Sequence, residues 1–308
     1  MKALVVGLGS IGKKHINALL TIDPKTEIFA LRSSVNAKVV SDITSIYTFD
    51  SLPTAIDFAI ISNPTNLHYQ VIIALSKKGI PLFIEKPLVH SLDVIDDLLK
   101  NLNDNQTTTY VACNLRFHPC LQYVNDFMQK SADVIVNEIN IYCGSYLPNW
   151  RPGKNFREMY SAKAELGGGV HLDLFHELDY LTWIFGIPEK TRVIKTNHSS
   201  LKISAIDYAN INFYYPTFTA NIILNYYRIT PKRTFEIIFD GDVWLVDLIK
   251  CQITNFKNEI IFEDPTFSIS DTYTSQLEYF IGALKEKKVM MNTAQESAAI
   301  LRICLTDE

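Results

Sequence analysis

The feature that most constrains this chain is a glycine-rich hexapeptide near its N-terminus, Gly7-Leu8-Gly9-Ser10-Ile11-Gly12. It follows an apolar strand pattern and opens a helix pattern. In such a loop the first glycine allows a tight turn, the second lets the backbone approach a pyrophosphate, and the third lets the helix pack on the strand. The helix N-terminus then offers unpaired N–H groups and a positive dipole end to phosphates. The alternative is a turn without a ligand, but this position between strand and helix predicts dinucleotide binding. The residues predicted to contact the dinucleotide are Gly7, Gly9, Ser10, Ile11 and Gly12.

The end of the second predicted strand bears on which dinucleotide is bound. An NAD-binding unit usually places an acidic residue there, about 20 residues beyond the third glycine. This strand instead ends in Arg32-Ser33-Ser34, with no acid. An arginine can pair with a 2′-phosphate in a bidentate manner, and serine hydroxyls can donate to it. The pattern therefore favours NADP over NAD, and the alternative is that Arg32 is a surface arginine at a strand end.

The first ~120 residues alternate short apolar runs with helical patterns, which is typical of βα units and a parallel sheet. The predicted strands are Ala3–Val6, Ile28–Leu31, Phe58–Ser62, Leu82–Glu85 and Thr109–Cys113. The predicted helices are Ile11–Leu20, His68–Lys78 and Leu92–Leu102. We therefore predict an α/β fold whose first domain, residues 1–120, is a Rossmann dinucleotide-binding domain.

The second half of the chain has a different pattern. Val134–Tyr142 and Tyr208–Tyr227 are rich in β-branched and aromatic residues, and Asp240-Gly241 is typical of a hairpin turn. One long helix is predicted over His171–Phe185, and helical patterns return at Ser275–Lys285 and Thr293–Cys304. Residues 121–308 are therefore predicted to form an α+β domain with a large, mainly antiparallel, open-faced sheet that binds substrate and mediates oligomerisation.

Composition excludes several classes of function. The formal net charge of −4 offers no positive field for a nucleic-acid backbone. No apolar run approaches the ~18 residues of a membrane span, and the N-terminal run breaks at Gly7, too early for a signal-peptide core. The five cysteines are scattered without a Cys-x-x-Cys pair, as expected for free thiols in a reducing compartment. We expect a cytoplasmic protein without nucleic-acid or membrane partners.

Lys86 is the first candidate for chemistry. It ends a strand at the carboxyl edge of the sheet, where open α/β folds bind their ligands. A lysine there can hold a substrate hydroxyl and polarise a forming carbonyl. Pro87 keeps Lys86 out of helical geometry and permits a cis bond. The alternative is a surface lysine whose stem packs at the strand end.

His176 is the second candidate, on the predicted helix His171–Phe185. With a pKa near neutrality, histidine suits the proton transfer that accompanies hydride transfer at a carbinol. Helical spacing places Asp173 and Tyr180 on the same face, with Trp183 pointing to that side, so we expect a cleft wall rather than a solvated face. Since His171 and His176 are splayed by ~140° on a helix and no compact ligand motif occurs, no metal site is predicted.

Three segments resemble the glucose–fructose oxidoreductase/inositol dehydrogenase (Gfo/Idh/MocA) family. They are Asn63-Pro64-Thr65-x-x-His68, then Glu85-Lys86-Pro87, then Gly167-Gly168-Gly169 leading into Asp173-x-x-His176. The stretch Tyr146–Pro152, with Tyr160-Ser161-Ala162, looks like the branch found with bacterial surface-polysaccharide biosynthesis genes.

The resemblance implies a role for particular residues. It implies a cis bond after Lys86, that lysine at the nicotinamide, and His176 as the catalytic acid/base. Many family members place three residues between the aspartate and the histidine, whereas two stand here, which rotates Asp173 by about 100° and leaves its role less defined. The other residues expected to bind cofactor on this basis are Asn63, Pro64, Thr65, His68, Glu85 and Asn114.

Several of these residues have structural alternatives. His68 can equally satisfy a helix start, and Arg116 can bind a substrate oxygen or pair with an acid. Four residues suit a sugar through aromatic faces and polar tips, although loop packing is their alternative: Tyr146, Trp150, Arg151 and Tyr160. The tyrosines of the second half are expected to pack on a sheet that the family often buries in a homodimer or homotetramer.

These patterns together predict an NAD(P)-dependent oxidoreductase that transfers a hydride between nicotinamide and a sugar, nucleotide-sugar or cyclitol. Lys86 and His176 would perform the acid–base work from separate domains while the cofactor carries the hydride. Two other functions remain open on the same scaffold. One is a non-catalytic sensor of dinucleotide or sugar, and the other is a redox-neutral lyase or hydrolase that uses tightly bound NAD.

Overall fold

The chain folds into two compact units. The first comprises Met1–Asn114 and Ile269–Leu301, and the second comprises Leu115–Ser268 and Arg302–Glu308. The segment Ile269–Leu301 thus belongs with the first unit, whereas the sequence analysis assigns everything after residue 120 to the second domain. The computed structural model describes residues 1–34, 40, 42–53, 55–131 and 133–306.

Both units combine helices with one sheet. The strands are β1 (Lys2–Val6), β2 (Glu27–Leu31), β3 (Ile43–Ile46), β4 (Phe58–Ile61), β5 (Leu82–Ile84), β6 (Thr109–Val111), β7 (Val136–Gly144), β8 (Lys190–Thr196), β9 (Tyr208–Tyr214), β10 (Thr219–Asn225), β11 (Lys232–Phe239), β12 (Val243–Asp247), β13 (Gln252–Thr254) and β14 (Ile260–Glu263). The helices are α1 (Ser10–Ile22), α2 (His68–Ser76), α3 (Ile95–Asp104), α4 (Pro119–Lys130), α5 (Val170–Asp173), α6 (His176–Phe185), α7 (Asp271–Glu286) and α8 (Ala294–Leu305).

The sheet of the first unit is parallel and has the order β3-β2-β1-β4-β5-β6. This is the Rossmann strand order, in which dinucleotides bind where the order reverses beside the first strand. Every residue of β4 and β5 is buried, as the continuous apolar runs predict for strands covered on both faces. On one face Phe280 of α7 packs its ring 5.4 Å from Phe58 and 5.5 Å from Phe83. The predicted Rossmann domain is confirmed.

The second unit contains an eight-stranded sheet of order β14-β13-β12-β11-β7-β10-β9-β8. β10 pairs with β7 in parallel, and the other neighbouring pairs are antiparallel. The predicted hairpin at Asp240-Gly241 joins β11 to β12, and Gly241 has the positive φ (91°) that such a turn requires. The expectation of a mainly antiparallel sheet is therefore confirmed.

The predicted continuous helix over His171–Phe185 is wrong. The chain forms α5, leaves helical geometry at Leu174 (φ −98°, ψ 34°), and begins α6 at His176. The apolar pair Leu174-Phe175 satisfies helical periodicity in the sequence, but in the fold both side chains are buried at the break. Among the strands, the sequence patterns do not predict the short β3, the edge strands β8 and β14, or β13, which lies beside β14. Within the described residues, no helix combines the length and apolar character that a bilayer crossing requires.

Candidate functional site

The glycine loop forms a tight cradle between β1 and α1. Gly7 has φ 94°, and a Cβ there would lie 2.6 Å from the backbone nitrogen of Asn63. A Cβ on Gly12 would lie 2.1 Å from the carbonyl oxygen of Gly7. At Gly9 a Cβ would meet no atom within 4 Å. Gly7 and Gly12 are thus required by packing within the protein, whereas Gly9 borders open space, as a close approach to a ligand requires.

The N-terminus of α1 lies directly beyond this cradle. Gly9 is the N-cap and no side chain accepts a hydrogen bond from the first turn. Ser10 is exposed and Ile11 is half-buried. The first backbone N–H groups of this 13-residue helix therefore have no side-chain cap. Such a helix N-terminus suits the binding of an anionic group.

A groove of about 460 Å³ extends from the cradle along the carboxyl edge of the first sheet. Its lining includes Gly7, the predicted residues Arg32 and Ser33 at the end of β2, and Asn63-Pro64 after β4. Ser34, the third residue of that predicted set, is exposed. The turn Tyr47–Phe49 also lines the groove, and the sequence analysis missed it because β3, which precedes it, was not predicted.

His68 is held within the protein rather than presented to the groove. It is 1% exposed, and its Nδ1 and Nε2 lie 3.1 Å and 3.0 Å from the carbonyl oxygens of Leu88 and Asn63. Burial lowers the pKa of His68, although these carbonyls oppose that effect. These contacts match the structural alternative for His68, in which it satisfies the start of a helix, rather than contact with a cofactor. Thr65, in the turn before His68, is half-buried.

Lys86 follows β5 at the carboxyl edge of the sheet and is half-buried. The Lys86–Pro87 peptide bond is cis, as expected from the resemblance. The preceding Glu85 accepts a hydrogen bond from the Lys86 backbone N–H at 3.2 Å, and its Oε1 lies 2.5 Å from Nε2 of His15. Glu85, expected to bind cofactor, therefore joins β5 to α1 through a histidine.

His15 is a residue that the sequence analysis missed. It is fully buried, and its ring lies edge-on to Phe83 at 5.0 Å and to Tyr273 at 5.9 Å. In sequence it is one polar residue of a helix pattern, three positions after Gly12. Its partner lies 70 residues away, and only the pairing of β1, β4 and β5 brings the two together.

Two predicted residues at the end of the first unit and the start of the second are held in buried contacts. Asn114 donates from Nδ2 to Thr272 Oγ1 at 2.7 Å. Arg116, in the second unit, donates from Nε and Nη2 to the two oxygens of Asp179 at 2.9 Å and 2.7 Å. The guanidinium also lies 5.8 Å from the Trp183 ring. Arg116 thus pairs with an acid, which is the second of its two alternatives. Its guanidinium also covers Trp183, the residue on which the prediction of a cleft wall rests.

The break between α5 and α6 changes the surroundings of Asp173 and Tyr180. Asp173 accepts a hydrogen bond from the Tyr226 hydroxyl at 2.5 Å. Burial, followed by the charge of Asp173, raises the pKa of Tyr226 well above its usual value, so this phenol remains a donor. Tyr180 is fully buried beside Phe235, so the prediction that it shares a face with Asp173 is wrong.

The aromatic residues predicted to bind a sugar lie partly around Tyr226. The Trp150 ring is edge-on to Tyr226 at 5.3 Å, and its Nε1 donates to Ser145. Tyr160 interacts electrostatically with Tyr226 and donates its hydroxyl to the Gly167 carbonyl at 2.9 Å. Tyr146 is half-buried and Arg151 is exposed. The second unit therefore brings Trp150, Tyr160 and Asp173 together around a tyrosine that the sequence analysis assigned to sheet packing.

His176 is the first residue of α6 and is half-buried. Two buried acids anchor the helix on which it stands: Asp179 pairs with Arg116, and Glu177 accepts from Nε of Arg233 at 2.6 Å. His171 is buried on α5, where a Cβ at Gly169 would lie 2.6 Å from its ring. The first unit therefore contains the nucleotide groove and Lys86, and the second contains His176 and the aromatic group around Tyr226.

Comparison with known proteins shows what the N-terminal part of the chain is similar to. Residues 1–113 match the model of the GFO_IDH_MocA oxidoreductase family, NAD-binding Rossmann fold. UDP-N-acetylglucosamine 3-dehydrogenase of Acidithiobacillus ferrooxidans is 24% identical over 126 residues, which are 40% of this chain and 40% of that protein. 2,7-Anhydro-N-acetylneuraminate hydratase of Escherichia coli is 24% identical over 203 residues, 63% of this chain and 52% of that protein. The chain thus spans about half the length of the curated relatives it matches.

Solved structures extend the likeness to the whole chain at the level of fold. The WlbA dehydrogenase of Chromobacterium violaceum, solved with NADH and UDP-GlcNAcA, has a TM-score of 0.80 at 17% identity and covers 98% of this chain and 91% of its own. At that identity the likeness shows the fold. The matched family model, the strand order and the glycine cradle agree that residues 1–113 are similar to the NAD-binding Rossmann domain of the Gfo/Idh/MocA oxidoreductases.

Proposed function

We propose that this protein is an NAD(P)-dependent oxidoreductase that transfers a hydride between nicotinamide and a hydroxyl or carbonyl of a sugar, nucleotide-sugar or cyclitol. The observation that carries the proposal is the glycine cradle after β1, with Lys86 shortly after β5 at the same carboxyl edge of the sheet. The relatives that act on UDP-N-acetylglucosamine and on anhydro-N-acetylneuraminate support a carbohydrate substrate.

The residues of the groove fit a dinucleotide. Gly9 leaves open space beside an uncapped helix N-terminus, which suits a pyrophosphate. The side-chain oxygen of Asn63 is buried and has no hydrogen-bond partner among the described residues, so it can accept from a bound donor. When bound, the nicotinamide supplies a carbon that gives or accepts the hydride. The protein would bind and orient the cofactor and the substrate, and its side chains would transfer the proton.

We further propose that NADP is preferred to NAD. Arg32 and Ser33 line the groove at the end of β2, where an acid would hold the ribose of NAD. Arg32→Ala would remove the charge-assisted pair to the 2′-phosphate. It should therefore weaken NADP binding by about 10–100-fold and change the affinity for NAD little. Titration calorimetry with both cofactors measures this difference. An equal loss for both would mean that Arg32 does not read the phosphate.

Lys86 and His176 are assigned the acid–base work. Lys86 would hold the substrate oxygen and stabilise its developing charge, and His176 would take or return the hydroxyl proton. Asp173, held by Tyr226, would hydrogen-bond substrate beside the aromatic faces of Trp150 and Tyr160. Tyr146 and Arg151 belong to the same proposed sugar contacts, and a homo-oligomer formed through the open sheet face is also part of the proposal.

Two variants test the chemistry. Lys86→Ala and His176→Ala should each lower turnover by ~10²–10⁴ while binding of cofactor, followed by fluorescence, stays close to that of the wild-type protein. The assay is absorbance of reduced nicotinamide across a panel of sugars, nucleotide-sugars and cyclitols. Turnover unchanged in both variants on an accepted substrate would remove these assignments.

A matched pair of glycine variants tests the cofactor site separately. Gly9→Ala adds a methyl group to open space, so it should fold with an unchanged melting temperature and yet bind dinucleotide several-fold more weakly. Gly12→Ala places a methyl group 2.1 Å from a backbone oxygen, so it should lower the melting temperature itself. Full cofactor affinity in folded Gly9→Ala would contradict pyrophosphate binding at this loop.

A redox-neutral reaction is the second candidate, because a hydratase is among the relatives. In that case tightly bound NAD would be reduced and reoxidised within one catalytic cycle. Rapid mixing distinguishes the two, since a transient nicotinamide absorbance without net change marks the redox-neutral enzyme. Absence of any change with every sugar tested would instead favour a sensor.

A further inference from the structure

Three side chains of the second unit with metal-binding chemistry lie together away from the groups described so far. His118 caps the N-terminus of α4, Cys120 is the second residue of that helix, and Cys251 lies in the turn between β12 and β13. They are 0%, 0% and 3% exposed. One potential ligand atom from each lies within 4.8 Å of the others. The cluster joins segments 131 residues apart in sequence.

The separation of the two sulfur atoms matches a particular coordination geometry. Cys120 Sγ and Cys251 Sγ are 3.8 Å apart. Two thiolates bound to one tetrahedral ion at about 2.3 Å each would be separated by about 3.8 Å. A linear two-coordinate ion would hold them about 4.6 Å apart, and a disulfide would bring them to about 2.05 Å. In this structure the two thiols form a hydrogen bond with each other, and the same spacing would let them occupy neighbouring corners of a tetrahedron around a soft divalent cation.

The orientation of His118 provides the third ligand. Its Nε2 lies 3.0 Å from the carbonyl oxygen of Leu248, and because a carbonyl can only accept, Nε2 carries the proton. Nδ1 therefore carries the lone pair, which accepts a hydrogen bond from the Cys120 backbone N–H at 3.2 Å, and coordination of an ion by Nδ1 would replace this bond. A ring N–H donated to a backbone carbonyl is the usual outer contact of a metal-bound histidine, since it fixes the tautomer and the ring.

Charged groups of both signs lie near the cluster. Asp264 interacts electrostatically with His118, Cys120 and Cys251, and its backbone N–H donates to the Cys251 carbonyl at 3.0 Å. Asp247 interacts with Cys120, and Arg233 is the positive group that acts on His118. Asp247 also pairs with Nζ of Lys250 at 3.6 Å, so the two carboxylates are accompanied by one guanidinium and one ammonium group. The centroid of the Phe267 ring lies 4.5 Å from that of the His118 ring, and this phenylalanine shields the histidine from water.

We propose that His118, Cys120 and Cys251 form a structural site for a thiophilic divalent cation of the zinc type. Binding replaces the two thiol protons, so one M²⁺ enters, two M–S bonds form and two protons leave. A water molecule would occupy the fourth position of the tetrahedron. The ion would join the start of α4 to the β12–β13 turn and so stabilise the second unit. This site is independent of the proposed oxidoreductase activity.

The test uses the full-length protein, stripped with a chelator under reducing conditions and titrated with Zn²⁺ against a chromophoric competitor. We expect one equivalent per chain and a higher melting temperature with the metal. Titration with Co²⁺ should produce thiolate-to-metal charge-transfer absorption and the strong visible bands of a tetrahedral complex. Cys120→Ser and Cys251→Ser should abolish both signals, a larger loss than the roughly 10–100-fold that removal of an outer partner costs.

Controls keep the result specific. Cys113→Ser changes a buried cysteine of the first unit and should bind metal like the wild-type protein. His118→Gln should keep thiolate absorption but lose affinity, and circular dichroism of each stripped variant checks that it is folded. Absence of stoichiometric binding, equal loss in Cys113→Ser, or a purified protein lighter by two hydrogens because the thiols have formed a disulfide would each overturn the proposal.

Discussion

Replacing Asp179 by alanine removes the carboxylate that faces the Arg116 guanidinium in the second unit. The pair is bidentate, with distances of 2.9 Å and 2.7 Å, and its side chains are 5% and 1% exposed. Little solvent is present to screen the charge that remains. Removing one partner of a buried ion pair lowers the free energy of unfolding by about 3–5 kcal/mol, because the remaining charge stays buried without a partner. At about 2–4 °C per kcal/mol for a unit of this size, the melting temperature should fall by roughly 6–20 °C.

A double-mutant cycle followed by thermal unfolding tests the reasoning. Arg116→Met alone and Asp179→Leu alone should each be destabilising to a similar extent, whereas the two substitutions combined should lose less stability than either single variant. Lys100→Ala serves as the matched control, because its pair with Asp104 is 3.2 Å long but 76% and 57% exposed, and it should change the melting temperature by no more than about 2 °C. Additive losses in the double variant would refute the view that the two charges depend on one another.

Two further predictions concern buried histidines of the first unit. Since burial lowers the pKa of His68 below its usual 6.5, the unfolded chain takes up a proton first as pH falls. This contribution to the free energy of unfolding is present above pH 6.5 and is lost as the pH falls towards the lower pKa of the folded state. The melting temperature of His68→Gln should therefore fall less between pH 8 and pH 5 than that of the wild-type protein. Parallel curves of melting temperature against pH would contradict this. His15→Leu should lower the melting temperature by removing the partner of Glu85, at a cost of about 1–3 kcal/mol, and Glu85→Gln, which keeps an acceptor for the His15 ring, should cost less; equal losses would show that the hydrogen bond kept by glutamine does not stabilise the protein.

Features of local origin were predictable from the sequence. The cradle needs glycine at positions 7 and 12 because of a positive φ and contacts shorter than a Cβ allows, and these follow from the strand–turn–helix pattern alone. The buried strands β4 and β5 are continuous apolar runs, and the Asp240-Gly241 turn carries its own conformational preference. The cis bond after Lys86 was expected because proline follows it within a motif that the family shares.

The parts that were missed depend on residues far apart in the chain. Leu174 and Phe175 continue a helical period, so only burial at the break and the bond between Asp173 and Tyr226 could end α5 there. Nothing near Arg116 in sequence identifies Asp179 as its partner.

The same reason explains the remaining contacts. His15 and Glu85, or Cys120 and Cys251, meet because strands and turns 70 and 131 residues apart become neighbours. Backbone preference and hydrophobic period act over a few residues, so they specify strands, turns and the nucleotide loop. The pairing of buried charged and polar groups depends on which segments the core brings together, and that was decided only when the whole chain had packed.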